Sequence, residues 1–201
     1  MKSQTLLSEL IDAFCCLPGV GRKSAQRMAY YLLDKNRQGG LVLSSSLQQA
    51  MQEIGNCNRC RDYTESDVCH ICLNERRDET ILCVVESPSD VVAIESTANF
   101  NGQFFVLLGQ LSPLDGIGPD EIGMPLLAQR LTEGLIKEVI VATSSTIEGE
   151  ATAHYIAQMT QQNITQSIQV TRLAQGVPVG GELEYLDQST LALSLANRKT
   201  I

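Results

Sequence analysis

The chain has 201 residues, of which 43% are hydrophobic and 19% charged. That balance suits one medium domain or a few small units and excludes extensive disorder. The net charge of −8 lies wholly in the second part: residues 1–79 carry ten Lys/Arg and ten Asp/Glu, and residues 80–201 carry five and thirteen. Between Ala13 and Arg61 seven basic residues face two acidic ones, so an electrostatic footprint for phosphate belongs to the N-terminal third. The acidic remainder suggests a metal site or a basic protein partner. No basic patch followed by a long apolar stretch opens the chain, and the longest apolar runs, residues 81–85 and 104–108, are strand-sized. The sequence therefore predicts no signal peptide, no bilayer span and a cytoplasmic protein.

Leu6, Leu7, Leu10, Ile11 and Phe14 recur at helical spacing up to a break at Pro18-Gly19. Ala25, Met28, Ala29, Leu32 and Leu33 form a second helical face, which Gln38-Gly39-Gly40 is expected to end. Ser44 to Ser46 can cap a third helix running to about Gly55. The cysteine segment, residues 57–72, follows, and from Thr80 strand runs alternate with helical stretches. Strands are expected at residues 81–86, 104–109, 138–143 and 168–174, with helices near 90–96, 125–134, 149–160 and 189–197. A Gly/Pro loop at 112–119 and a Gly/Pro turn at 176–181 punctuate the series. Such alternation implies a mostly parallel sheet covered on both faces.

Seven cysteines in a chain with no visible export signal point to metal rather than disulfides. Cys57, Cys60, Cys69 and Cys72 are spaced C-x2-C-x8-C-x2-C, two knuckles that complete a tetrahedron around one zinc ion. Four thiolates leave no open position, so the zinc is expected to be structural and to supply much of the folding energy of a small knot. His70 lies inside the second knuckle, where Cys72 has the better spacing. Cys15, Cys16 and Cys83 fall on apolar patterns and read as buried small hydrophobes.

Residues 17–29, LPGVGRKSAQRMA, place P-G-x-G between two helices, the pattern of a helix-hairpin-helix. Gly19 and Gly21 allow a turn that side chains would block. The hairpin's N–H groups then approach a phosphate at the N-terminus of the following helix, with Arg22, Lys23 and Arg27 adding charge. Such contacts carry no base information, so binding is expected to be sequence-independent and salt-sensitive. A tight helical hairpin used only for packing or oligomerisation is the alternative. A third constellation is carboxylic: Glu86 ends the first strand of the alternating region, and Glu148 and Glu150 follow the third. Parallel strands line such residues along one crevice. Favourable acids at a capped helix N-terminus are the plainer reading of Glu148 and Glu150.

The segment TSSTIEGEA, residues 143–151, resembles the Toprim domain of type IA topoisomerases, primases and related nucleases. There, an Asp-x-Asp pair in this segment and a strand-one glutamate bind magnesium. Here Ser144 and Thr146 stand where the aspartates would be, which removes two charges from a site that needs them to hold a hard cation. Glu86, Glu148 and Glu150 then remain as candidates for partner binding or a vestigial metal contact, and magnesium is not expected.

Taken in order, the hairpin, the cysteine knot leading into RRDETILCVVE (residues 76–86), SPLDGIGP, TIEGEATAHYIA (146–157) and TRLAQGVPVGGELEYLDQSTL (171–191) resemble the RecR recombination mediator family over nearly the whole chain. The chain departs from it where FVLLGQ, residues 105–110, lacks a paired glycine and where Gln175 replaces a frequent histidine. The resemblance implies a multi-domain α+β and α/β protein. Its parts would be a helix-hairpin-helix region (1–55), a four-cysteine zinc finger (56–78), a Toprim domain with a mostly parallel sheet (79–175) and a C-terminal oligomerisation segment (176–201). It further implies a non-enzymatic DNA-binding clamp in recombinational repair. Such a protein acts with RecO and often RecF to load RecA on single-stranded gaps, and self-associates to a dimer or a ring-shaped tetramer. The hairpin would face DNA and the acidic Toprim surface would meet RecO, with the zinc knot a rigid joint between them. A magnesium-dependent nuclease on the Toprim scaffold is the competing expectation.

Overall fold

The computed structural model describes residues 5–163, 167–174, 176–196 and 198; Gln175, singled out above, lies outside them. The chain divides into two compact units, Met1–Ile54 and Gly55–Ile201.

The first unit is helical. Thr5 caps α1 (Leu6–Phe14), its hydroxyl accepting from the Ser8 N–H at 3.3 Å. A turn through Pro18-Gly19 leads into α2 (Arg22–Lys35), and Asn36 then serves as both the C-cap of α2 and the N-cap of α3 (Arg37–Glu53). The expected end of the second helix is corrected here: Gln38, Gly39 and Gly40 lie in the first turn of α3. The Asn36 side chain starts that helix by accepting from the Gly39 N–H at 2.9 Å, so the serines at 44–46 are interior rather than capping. The core of this unit is small. Ile11, Ala25 and Ala29 are buried, with Leu10, Phe14 and Val20 packed against them. The two alanines let α1 and α2 approach closely, since no larger side chain separates the helices. α3 buries none of its residues.

The second unit opens with a short hairpin, β1 (Gly55–Asn56) and β2 (Tyr63–Thr64), paired antiparallel. β3 (Asp78–Val85), α4 (Pro88–Glu95), β4 (Gly102–Val106), α5 (Met124–Thr132), β5 (Glu138–Ala142), α6 (Ile147–Asn163) and β6 (Gln169–Arg172) follow. A 3-10 turn at Leu183–Tyr185 precedes α7 (Gln188–Ala196). The sheet is all parallel in the order β4-β3-β5-β6. Its strands are nearly continuous apolar runs because both faces are covered. On one face Leu82, Val84, Phe105, Val139 and Val141 pack against α5 and α6 through Leu127, Leu131 and Ile156. On the other, Cys83, Val85, Phe104 and Val106 pack against α4 and against the four cysteines of the knot. The knot thus occupies part of a layer that helices alone fill in most such folds, and shares the core of the sheet. No helix among the described residues is long and apolar enough to cross a membrane.

Candidate functional site

Three places carry the residues that the sequence singled out. In the first unit, Gly19 sits in the left-handed region at φ +76°, where a Cβ would be strained. Gly21 differs from expectation: its backbone is extended (φ −78°, ψ 164°), open to any residue, and a Cβ there would meet nothing within 4 Å. What its missing side chain does is leave the N-terminus of α2 bare. Gly21 is the N-cap and supplies no side-chain bond, and no acidic residue occupies the first turn, so the leading N–H groups face outward. Arg22 pairs with Asp12 of α1 and so ties the two helices together. Lys23 and Arg27, four residues apart, share one exposed face of α2 with Tyr30 and Tyr31. Charge and aromatic surface on one helical face suit a phosphodiester backbone.

The cysteines form the second place. The Sγ atoms of Cys57, Cys60, Cys69 and Cys72 lie within 4.8 Å of one another, all buried. A zinc tetrathiolate, with Zn–S near 2.3 Å, sets sulfurs about 3.8 Å apart, so the group fits an ion of that size. The knuckle turns are built by backbone bonds: Arg61 N–H to the Cys57 carbonyl and Leu73 N–H to the Cys69 carbonyl, at 2.8 and 3.1 Å. Cys69 N–H also donates to Cys57 Sγ at 3.3 Å. Burial pushes the Cys57 thiol up, but backbone N–H donors from Cys69, Cys60 and Arg59 outweigh it and hold it at about 7. Cys60 is pushed far up by its hydrogen bond to Cys72 and by burial, and Cys69 to about 11, chiefly by burial. Without a cation the four cannot all ionise; a divalent ion makes the tetrathiolate possible. Cys83 is buried, its thiol pushed up to about 12 by burial, and it stands outside this group. Cys15 and Cys16, expected inside, are exposed just past the C-terminal end of α1.

Two arginines that sequence reasoning did not single out fix the knot to the sheet. Arg61 adopts φ +66°, and its Nη1 donates to the Leu107 and Ile122 carbonyls at 3.0 and 2.6 Å. Gly123 holds φ +75°, where any other residue is strained, and a Cβ there would fall 2.0 Å from that nitrogen and displace the guanidinium. Arg130, in α5, is 8% exposed, and its Nη1 donates to the Arg59 and Phe104 carbonyls at 2.6 and 2.9 Å. An arginine inside the apolar pattern LLAQRL was the available signal.

The third place is the crevice beyond the carboxyl ends of β3 and β5, where the strand order reverses. Glu86 Oε1 accepts from both the N–H and Oγ of Ser144, at 3.0 and 3.1 Å. Ser144 Oγ lies 2.8 Å from Thr146 Oγ1, and Thr146 Oγ1 accepts from the Gly149 N–H at the start of α6. Gln110 approaches both hydroxyls at 3.5 Å. Glu150 is ion-paired with Arg172, which also donates to the Ser144 carbonyl at 3.0 Å. Glu148 is half-buried on the first turn of α6 and takes no part in the Glu86–Ser144–Thr146 network. The crevice therefore brings Glu86 to hydroxyls rather than to other carboxylates. A cleft of about 600 Å³ beside it is lined by Ser144, Ser145, Glu150, Arg172, Thr190 and Leu193, among others.

Comparison with known families matches three regions separately. Residues 7–51 match "RecR, helix-hairpin-helix", residues 80–174 match the Toprim domain, and residues 176–199 match "RecR, C-terminal". With these three matches in this order around a four-cysteine cluster, the chain belongs to the RecR family and shares its place in recombinational repair.

Proposed function

We propose that this chain is a non-enzymatic mediator of recombinational repair that holds DNA by its phosphates through the helical hairpin. In this reading it works with RecO, and with RecF, to load RecA on single-stranded gaps. The observation that carries it is the bare N-terminus of α2 behind Gly21, with Lys23 and Arg27 on the exposed face beside it. Donors and charge meet there without any group that reads a base, so binding is sequence-independent. Arg22 serves the same surface through its backbone N–H while its side chain holds α1.

The cysteines hold one structural zinc ion, because four buried thiolates close the coordination sphere and leave no place for substrate. The Toprim crevice supports a partner surface rather than a catalytic one. Its single carboxylate at the β3 end, Glu86, already accepts two hydrogen bonds from Ser144, whereas a magnesium site gathers several charged oxygens. Glu148 supports contact with a basic partner such as RecO, and Glu150, held by Arg172, adds acidic surface beside it. The exposed apolar stripe of α3, Leu43, Leu47 and Met51, supports self-association.

The test is a Lys23→Ala/Arg27→Ala double variant, with oligomeric mass measured alongside DNA affinity over a salt series. Each phosphate contact contributes a slope of about 0.9 in log affinity against log salt, so the double variant should flatten the slope by about 2 at unchanged mass. An unchanged slope would remove the hairpin from the DNA surface. Magnesium-dependent DNA cleavage abolished by Glu86→Ala would overturn the non-enzymatic reading.

A further inference from the structure

β4 is an edge strand: among the described residues β3 lies on one side of it and no strand on the other. Its sequence, GQFFV, is buried throughout. An apolar edge with free N–H and C=O groups is a template for pairing with another chain, and proteins cover or blunt such edges. In a strand, alternate residues direct their backbone groups to the same side. Along β4 the outward set is Gly102, Phe104 and Val106, and each has a partner that is not a strand. The Gly102 carbonyl accepts from Arg77 Nη1 at 2.9 Å and the Phe104 carbonyl from Arg130 Nη1 at 2.9 Å. The Val106 N–H donates to the carbonyl of Cys60 at 2.8 Å. One residue further on, the Leu107 carbonyl accepts from Arg61.

Two of these partners belong to the first cysteine knuckle, Cys60 and Arg61, and a third, Arg130, spans from Phe104 to the carbonyl of Arg59 within it. Backbone bonds build the knuckle's turn, but it has almost no apolar content apart from the cysteines, so an ion holding its thiolates together would stabilise this shape. Charge works in the same direction. Four thiolates around a divalent ion leave two net negative charges, and the buried Arg130 has no carboxylate within ion-pair distance among the described residues. A buried cation without a paired counter-charge is costly; Glu133 acts on it from a distance, and the loaded knuckle would add anionic charge beside it.

We infer that metal occupancy of the cysteine knot guards the outer edge of β4 through Cys60, Arg61 and Arg130, so that losing the ion opens the sheet at that edge to pairing with a second copy of the chain. The inference rests on reading the four cysteines as a metal site.

Hydrogen exchange on the full chain tests it, with metal content measured in the same samples before and after chelation under reducing conditions. On metal removal the Val106 amide should exchange at least about tenfold faster while β5 and β6 hold their rates. Chelated protein should also form larger species as its concentration rises, and restored zinc should reverse this. In the loaded protein, Arg130→Met should surrender metal to a competing chelator roughly tenfold more readily, and Arg130→Lys, which keeps the charge, should recover part of the loss. Unchanged Val106 exchange after verified metal loss would overturn the inference while leaving the metal site intact. So would equal loss of protection across all four strands, which would make the ion a requirement of the whole sheet. A chain that binds no metal would overturn both, and the metal content separates the cases.

Discussion

Gly19 and Gly21 stand two residues apart and are glycine for different physical reasons. Gly19 holds φ +76°, so a Cβ costs about 1–2 kcal/mol through contact with the following carbonyl. Gly21 costs nothing in backbone strain and has open space around its Cβ position; a methyl there stands instead in the path of a phosphate approaching α2. Gly19→Ala should therefore lower the melting temperature. Gly21→Ala should leave it within a degree or two of wild type yet weaken DNA binding. Thermal melts and DNA titrations of the two variants separate these effects, and equal melting losses would refute the distinction. In the Toprim crevice the same logic applies to Ser144 and Thr146. Ser144 gives Glu86 two bonds, and hydrogen bonds to a charged group are each worth about 1.5–3 kcal/mol. A Ser144→Asp/Thr146→Asp variant keeps the backbone N–H donor, loses the hydroxyl donor, and sets two carboxylates beside a third. It should melt lower than wild type in a chelator and recover with millimolar magnesium, while wild type should not respond. A variant indifferent to magnesium would show that more than these two charges separates the crevice from a cation site.

At the scale of elements, periodicity and turn chemistry located most of the helices and strands, because each parallel strand is a short apolar run bounded by polar turns. The start of α3 was not legible. Gly39-Gly40 reads as a break by propensity, and a single cap, Asn36 Oδ1 on the Gly39 N–H, outweighs that cost. The cysteine spacing disclosed the metal cluster but not its setting. Nothing in C-x2-C-x8-C-x2-C says that the knot will lie on a sheet face against Phe104 and Val106. The long-range partners of Arg61 and Arg130 lie 46 and 61 residues, and 71 and 26 residues, away. Such pairings have no local pattern, although an arginine within an apolar helical run is a visible anomaly. In the crevice, Glu86, Glu148 and Glu150 were legible as acids near strand ends. Arg172's hold on Glu150 was not, because it depends on β6 pairing beside β5.

At the scale of the molecule, the first unit poses a problem of stability that the proposed assembly would solve. It has about fifty residues and a buried core of Ile11, Ala25 and Ala29, well short of what a free-standing domain of that size needs. Meanwhile Leu43, Leu47 and Met51 run along one side of α3 at helical spacing and Ile54 follows at its C-cap, exposed by 41, 52, 77 and 44%. Covering that stripe with a second copy would supply the missing burial at about 25 cal/mol per Å². Copies joined there would also carry several hairpins to one DNA. An acidic chain with net charge −8 gains little from general attraction to DNA, so in the proposed function its affinity would come from a few local contacts multiplied by valency. A Leu47→Glu/Met51→Glu variant should accordingly lower native mass and DNA affinity together, the latter by roughly a hundredfold or more. The hairpin double variant should instead keep its mass and lose DNA alone. Native mass spectrometry paired with DNA titration across protein concentration reads both quantities in one sample series. If the glutamate variant runs as a smaller species and still binds DNA as tightly as wild type, a single hairpin suffices and valency is not the source of affinity. If its mass is unchanged, the α3 stripe is not the surface that joins the copies.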